Sequence, residues 1–297
     1  MANETVGFVG LGNMGRPMCG SLVARGMRVT VYDVAADRMQ VLAQRGAIAA
    51  RDVAELVAAS DIVVTMLPDT PHVEGVVGEV LRGGRAGQMC LDMSTIDPLA
   101  SRRFAAELAA RGIGWVDAGV GRSPAHAERG ESLFMVGGTD ADLARAMPLL
   151  EAMGNRIIHC GGPGAGITMK VVLNFLSMST CQLTAEALTL GTKLGLEART
   201  MYDVITNSLA SNDHLKTYWP QKALAGDVEP GFAIDLAYKD LSIAVTAANG
   251  AGVPVFTGAA ARECLAQARA AQGLGGKDIT AVLLAAAGNA GIAPPRL

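Results

Sequence analysis

Short apolar runs alternate with amphipathic stretches over the first half of the chain. Residues 6–9 form an apolar run that ends at a glycine cluster, residues 28–32 are rich in β-branched side chains, and residues 61–66 read as a buried strand closed by Leu67 and Pro68. Residues 89–92, 114–118 and 134–136 have the same character, and residues 47–49 are a shorter piece. Between them, residues 16–25, 38–45, 53–59, a segment opening at 72–77, and residues 98–111 place apolar positions at helical spacing, with Gly26 and Gly46 as stops. This alternation predicts a doubly wound α/β fold, a parallel sheet joined by right-handed crossovers.

After about residue 163 the strand signal disappears. Residues 167–194 keep apolar positions at helical spacing without a break. Residues 196–207, 218–225, 234–249, 258–271 and 278–287 also read as helices. The turn-like stretch Cys160-Gly161-Gly162-Pro163-Gly164 divides the two regimes. The expected organisation is residues 1–162 as an α/β domain and residues 163–297 as an all-helical one, with a long helix leading into the second.

Composition narrows the class. Half of the 297 residues are hydrophobic, so large cores can be buried, and Lys+Arg 25 against Asp+Glu 28 leaves a net charge of −3. No basic run exceeds the pair Arg102-Arg103, which argues against a nucleic-acid partner. Apolar stretches such as residues 281–287 are far shorter than a membrane span. Residues 1–5 lead into a strand without a basic start, so no signal peptide and a cytoplasmic location are expected. The five cysteines are widely spaced with no CxxC pair, so neither a disulfide framework nor a bound metal is expected.

The first motif with chemical content is Gly10-Leu11-Gly12-Asn13-Met14-Gly15, between a strand and a helix. Gly10 permits the tight turn, Gly12 lets backbone approach a pyrophosphate, and Gly15 lets helix and strand pack closely. The N–H groups at the helix start suit phosphates. Asp33 ends the second strand, where a carboxylate accepts hydrogen bonds from both ribose hydroxyls and repels a 2′-phosphate; NAD is therefore expected over NADP. Leu67 and Pro68 end another strand on the carboxyl edge, either as part of the cofactor site or as a simple strand stop. Asp92-Met93-Ser94-Thr95 ends a further strand there, and Ser94 and Thr95 either face cofactor and substrate or belong to the cap of the helix after Asp97-Pro98.

Gly121, Arg122 and Ser123 follow the strand at 114–118. An arginine flanked by glycine presents a planar fork to an anion, or else it is a solvated surface charge. Lys170, Asn174 and Ser177 lie at i, i+4 and i+7 on one face of the long helix. A lysine there either snorkels to water or sits in a cleft and exchanges a proton with an alcohol or carbonyl oxygen. Lys239-Asp240 is a further polar pair in an otherwise apolar helix.

These segments resemble the β-hydroxyacid dehydrogenase family, to which 3-hydroxyisobutyrate and tartronate semialdehyde enzymes belong. The likeness covers essentially the whole chain and rests on residues 7–15, 92–98, the stretch from Gly164 through Lys170 and Asn174, and Lys239-Asp240-Leu241. It implies a Rossmann domain followed by an all-helical domain. It implies Lys170 as catalytic acid and base, Asn174 as the residue that orients the substrate, and Lys239 near nicotinamide and substrate. It also implies a homodimer or homotetramer. The usual Ser-Gly-Gly loop of the family is replaced here by Val120-Gly121-Arg122-Ser123, and in this the chain looks like the members that reduce sulfonated aldehydes. The expected reaction is NAD(H)-dependent reduction of a short anionic aldehyde, foremost 3-sulfolactaldehyde. Lys170 would supply the proton, and Arg122, Ser123 and Ser177 would hold the anionic end. A carboxylate-bearing substrate is the alternative.

Overall fold

The computed structural model describes residues 4–297. Residues 1–3, on which part of the expectation about a leader rests, lie outside the described residues. The chain divides into two compact units, Met1–Lys170 and Val171–Leu297.

The first unit is built on one eight-stranded sheet. Its strands are β1 (Thr5–Val9), β2 (Arg28–Tyr32), β3 (Ile48–Ala49), β4 (Ile62–Thr65), β5 (Met89–Asp92), β6 (Gly114–Gly121), β7 (Ser132–Gly137) and β8 (Gly154–Gly161), and they lie in the order β3-β2-β1-β4-β5-β6-β7-β8. All pairings are parallel except β6 with β7. The fully parallel sheet expected from the alternation therefore needs one correction. The connection over residues 122–131 holds only the short helix α6 (Pro124–Glu128), and a parallel return needs a longer crossover.

The other helices of this unit are α1 (Gly15–Ala24), α2 (Ala36–Ala43), α3 (Val53–Ala59), α4 (Thr70–Gly83), α5 (Pro98–Ala109) and α7 (Asp140–Met153). Several begin where a side chain satisfies a terminal N–H. Asp52, Asp69, Asp97 and Thr139 accept from Glu55, His72, Leu99 and Asp142 respectively. Strand residues alternate between two cores. Val6, Phe8, Ile62, Val64, Met89 and Leu91 meet Met18 and Leu22 of α1 and Leu149 and Leu150 of α7. Val9, Val63 and Cys90 meet Leu56, Val77 and Phe104 on the opposite face. Burial on both faces explains why the central strands read as continuous apolar runs.

The long helix α8 (Ala165–Lys193) leaves the first unit and enters the second. The unit boundary thus falls inside α8, after Lys170, downstream of the turn at 160–164 where the sequence pattern changes. The second unit continues with α9 (Ala198–Thr206), α10 (Ile234–Gly250), α11 (Phe256–Ala270) and α12 (Val282–Asn289). The helix expected over residues 218–225 is instead a π-helical turn, His214–Tyr218, followed by two 3-10 turns. Trp219, fully buried, anchors this region in a core with Leu188, Leu241, Leu265 and Leu283. No helix among the described residues is long and apolar enough to cross a membrane.

Candidate functional site

The parallel register aligns Tyr32, Val9, Thr65, Asp92 and Asp117 in one row across β2, β1, β4, β5 and β6. The loops that follow this row form the carboxyl edge, and the strand order reverses between β1 and β4. In open α/β sheets that reversal is where ligands bind.

At this point each glycine of the first loop has a distinct physical reason. Gly10 has φ +96°, and a Cβ there would lie 2.3 Å from the Met66 carbonyl oxygen and 3.0 Å from Leu67 Cδ2. The loops after β1 and β4 therefore touch backbone to backbone. Gly15 packs so tightly that a Cβ would meet the Gly10 oxygen at 2.0 Å. Gly12 has nothing within 4 Å of its missing Cβ. It faces open space, as close approach of a pyrophosphate requires. No side chain caps the N-terminus of α1, where Asn13 and Met14 lie.

Asp33 is 7% exposed at the end of β2. Its Oδ2 accepts from the Leu11 N–H at 2.7 Å, and its Oδ1 from the Ala35 N–H at 2.9 Å. Arg38 lies 3.5 Å from Oδ1. The carboxylate thus ties the glycine loop to the end of β2, and Oδ2, with a single donor, retains a lone pair for a ribose hydroxyl. An uncrowded Gly12, an uncapped helix start and a carboxylate one strand away fit a dinucleotide.

Further along the edge, Ser94 is 1% exposed and its Oγ accepts from the Leu67 N–H at 2.9 Å. Ser94 cross-links the ends of β4 and β5 beneath the surface, and Thr95 is the more exposed of the two. Asp92 Oδ1 accepts from Thr65 Oγ1 at 2.7 Å and from the Ser94 N–H at 3.0 Å. Burial pushes the Asp92 carboxyl up to about 6, against the lowering effect of those hydrogen bonds. The N-cap of α5 is Asp97, whose Oδ1 takes the Leu99 N–H at 2.9 Å, and neither Ser94 nor Thr95 holds that position.

Arg122 follows β6 with φ 72°, alone among the described non-glycine residues in the left-handed region. Its side chain is exposed, and Nη1 donates to the Glu131 carbonyl at 2.5 Å and to Asn155 Oδ1 at 2.8 Å. Both of these bonds use Nη1, the tether, and not the Nε–Nη2 edge that pairs with an anion. Gly121 is buried against Leu133, and Ser123 Oγ lies 2.9 Å from His126 Nδ1.

Lys170 ends the first unit. The position of a Cβ at Gly119 would be 2.6 Å from Lys170 Cβ, so α8 rests on the bare backbone of β6 at this point. In the second unit, Asn174 is 6% exposed and its Nδ2 donates to Asp240 Oδ2 at 2.7 Å. Asp240, 4% exposed, also pairs through Oδ1 with Lys239 Nζ at 2.9 Å. One buried carboxylate therefore fixes the amide of Asn174 and draws in Lys239. Ser177, expected on the same helix face, is exposed.

Two residues of consequence were given no site role by the sequence, Asp240, which entered only as the neighbour of Lys239, and Asp117, which did not enter at all. Asp117 is 1% exposed and accepts from the Gly164 N–H at 2.5 Å and the Ile167 N–H at 2.6 Å. Burial pushes its carboxyl up to about 6, with these backbone donors acting in the opposite direction. The available signal was a lone acid within the apolar stretch Trp115-Val116-Asp117-Ala118.

Comparison with known proteins bears on both units. A family model described as the NAD binding domain of 6-phosphogluconate dehydrogenase matches residues 5–162. A second, described as NAD-binding of NADP-dependent 3-hydroxyisobutyrate dehydrogenase, matches residues 164–286. The chain is 41% identical over 281 residues to a 3-sulfolactaldehyde reductase of Escherichia coli (strain K12), covering 94% of each. It is 36% identical to a 2-(hydroxymethyl)glutarate dehydrogenase of Eubacterium barkeri, over 94% of this chain and 93% of that one. Among solved structures it matches Mycobacterium tuberculosis 3-hydroxyisobutyrate dehydrogenase with L-serine, at a TM-score of 0.87 and 33% identity. That match covers 95% of this chain and 98% of the other.

Proposed function

The chain belongs to the 3-hydroxyisobutyrate dehydrogenase family of β-hydroxyacid dehydrogenases, oxidoreductases that use a nicotinamide dinucleotide, and on that premise we propose that it reduces short aldehydes bearing an anionic group. The leading substrate is 3-sulfolactaldehyde, which becomes 2,3-dihydroxypropane-1-sulfonate. The observation that carries the substrate class is Arg122, kept at a left-handed position that glycine would occupy more easily. Strain retained at a site edge points to a side chain with work to do there.

The bound nicotinamide supplies the hydride. Gly10, Leu11, Gly12, Asn13, Met14 and Gly15 hold the pyrophosphate, and Asp33 the adenine ribose, with a preference for NAD over NADP. Leu67, Pro68 and Thr95 would line the edge beyond them, and the family likeness assigns Lys239 to the nicotinamide. Lys170 gives a proton to the substrate oxygen as its carbon is reduced and accepts the alcohol proton in the reverse direction. Asn174 orients the reacting end. With Nδ2 committed to Asp240, its Oδ1 is the atom left to face a hydroxyl. Arg122 binds the anionic end through Nε and Nη2, assisted by Gly121, Ser123 and Ser177, and Ser94 supports the wall from beneath. Fixing both ends of a three-carbon substrate removes much of the entropic barrier.

A carboxylate substrate is the second reading, favoured by the likeness to enzymes named for hydroxymethylglutarate and 3-hydroxyisobutyrate. A panel of sulfonate, carboxylate and neutral aldehydes with NADH, measured as kcat/KM, separates them. Highest efficiency on the sulfonate supports the first reading, and highest efficiency on a carboxylate replaces it with the second. Equal efficiency on neutral aldehydes refutes both. A homo-oligomer is also proposed. Val172, Leu176, Leu183 and Leu190 are all more than half exposed and recur along α8, an apolar stripe suited to a second copy of the chain.

A further inference from the structure

We propose that Asp117 is a positioning residue for this reaction, clamping the start of α8 to the sheet and so setting where the Lys170 amine stands. The inference rests on the reading of Lys170 as acid and base.

The geometry begins with the helix terminus. The first turn of a helix has N–H groups with no intrahelical acceptor. Asp117 takes two donors from this region, Gly164 N–H on Oδ1 and Ile167 N–H on Oδ2. One such bond would leave the helix start free to pivot. Two bonds, to separate oxygens of one planar group, fix its rotation as well as its height. The clamp is enclosed, because Asp117 is 1% exposed and water does not compete for its oxygens.

The surrounding backbone is shaped for this contact. A Cβ at Gly166 would lie 2.3 Å from the Met135 oxygen and 2.6 Å from the Asp117 oxygen. A Cβ at Gly137 would lie 2.7 Å from both the Ala165 and Gly166 nitrogens and from Asp117 Oδ1. Gly137 is the register partner of Asp117 across the antiparallel β6–β7 pair. Apart from the Asp117 carboxylate itself, helix start and strand pair therefore meet through main chain.

Lys170 follows Ile167 by three residues, about 4.5 Å along the helix axis. Its Cβ lies over Gly119, two positions beyond Asp117 in β6. Residues two apart in a strand share a face. The clamp and the lysine are thus on the same face of the same strand, and a tilt permitted by losing one bond is transmitted directly to the amine. A misplacement of about 1 Å at a reacting group costs on the order of 100-fold.

The test uses Asp117→Asn, which puts an NH2 where one oxygen met an N–H. The expected result is a kcat lower by roughly 10- to 100-fold, with NADH affinity by fluorescence titration unchanged and a cooperative thermal transition retained. Lys170→Met alone lowers kcat by roughly 10²- to 10⁴-fold. The double variant should match Lys170→Met, because no amine remains to be positioned. Multiplying losses in the double variant, or wild-type kcat in Asp117→Asn, overturns the proposal. Wild-type kcat in Lys170→Met instead overturns the acid–base reading on which it rests. If Asp117→Asn does not fold, Asp117→Glu keeps the carboxylate but carries it one methylene further, so the two N–H contacts are not held in their present geometry. It should show the same loss and the same absence of further loss in the Lys170→Met background, and wild-type kcat there also overturns the proposal.

Discussion

Arg122 combines a backbone cost with a proposed chemical role, and two substitutions separate them. Arg122→Ala and Arg122→Gly both remove the guanidinium, together with its bonds to the Glu131 carbonyl and Asn155. Those losses cancel when the two variants are compared. What differs is the backbone at φ 72°. An L-residue in the left-handed region costs roughly 1–2 kcal/mol, and glycine returns roughly 0.5–1 kcal/mol of that through its greater freedom in the unfolded chain. The glycine variant should therefore be more stable than the alanine variant by about 0.5–1 kcal/mol. Each kcal/mol is worth about 2–4 °C in a unit of this size, so the midpoint should rise by about 1–4 °C in thermal unfolding followed by circular dichroism. Activity should not distinguish the two. A charge-assisted hydrogen bond is worth about 1.5–3 kcal/mol, and tenfold corresponds to about 1.4 kcal/mol. Both variants should lose about 10- to 100-fold in kcat/KM on an anionic aldehyde while a neutral aldehyde of equal length is reduced as before. Equal melting of the two variants would refute the strain argument, and an equal loss on the neutral aldehyde would refute the clamp.

Two further predictions follow from carboxylates near the same edge. Asp33→Ala should narrow the NADH-to-NADPH ratio of kcat/KM by about tenfold, the worth of one charge-assisted hydrogen bond; a wild-type enzyme that already prefers NADPH would contradict the role given to Asp33. Asp92 and Asp117 both have carboxyls pushed from 3.8 up to about 6, chiefly by burial. Between about pH 4 and 6 these two groups hold protons in the native state that the unfolded chain has released, so their contribution to stability falls as pH rises through that window. The slope is about 1.4 kcal/mol per pH unit for each such proton. Urea unfolding at a series of pH values checks the sign, and Asp92→Asn should flatten the slope; an unchanged slope would remove Asp92 as a source.

Much of the first unit was legible in its sequence because local signals agreed with the final packing. The strand of residues 28–32, the helix of residues 53–59 and the strand of residues 89–92 appear with the expected bounds. The glycine loop also has the expected division of labour, visible in φ at Gly10, the emptiness at Gly12 and the crowding at Gly15. What escaped had weak or contradictory local signals. α7 carries Pro148 in its interior, which masked a helix that Thr139 nonetheless caps. β8 shows little burial along its length, so it lacks the apolar run that betrays a central strand. The direction of β7 depends on the length of the preceding connection more than on its own residues. Asp117 and Asp240 were invisible as functional partners because their importance lies in what they grip, at 47 and 66 residues' separation in the chain.

The division of the chain after Lys170 also dictates how such enzymes can be recombined. A chimera joined at the glycine-rich turn near residue 162 would import a foreign helix start and ask an unrelated strand pair to seat it. Crossing over beyond residue 170 instead carries the start of α8 together with the strand pair that seats it, and Lys170 stays over its own Gly119.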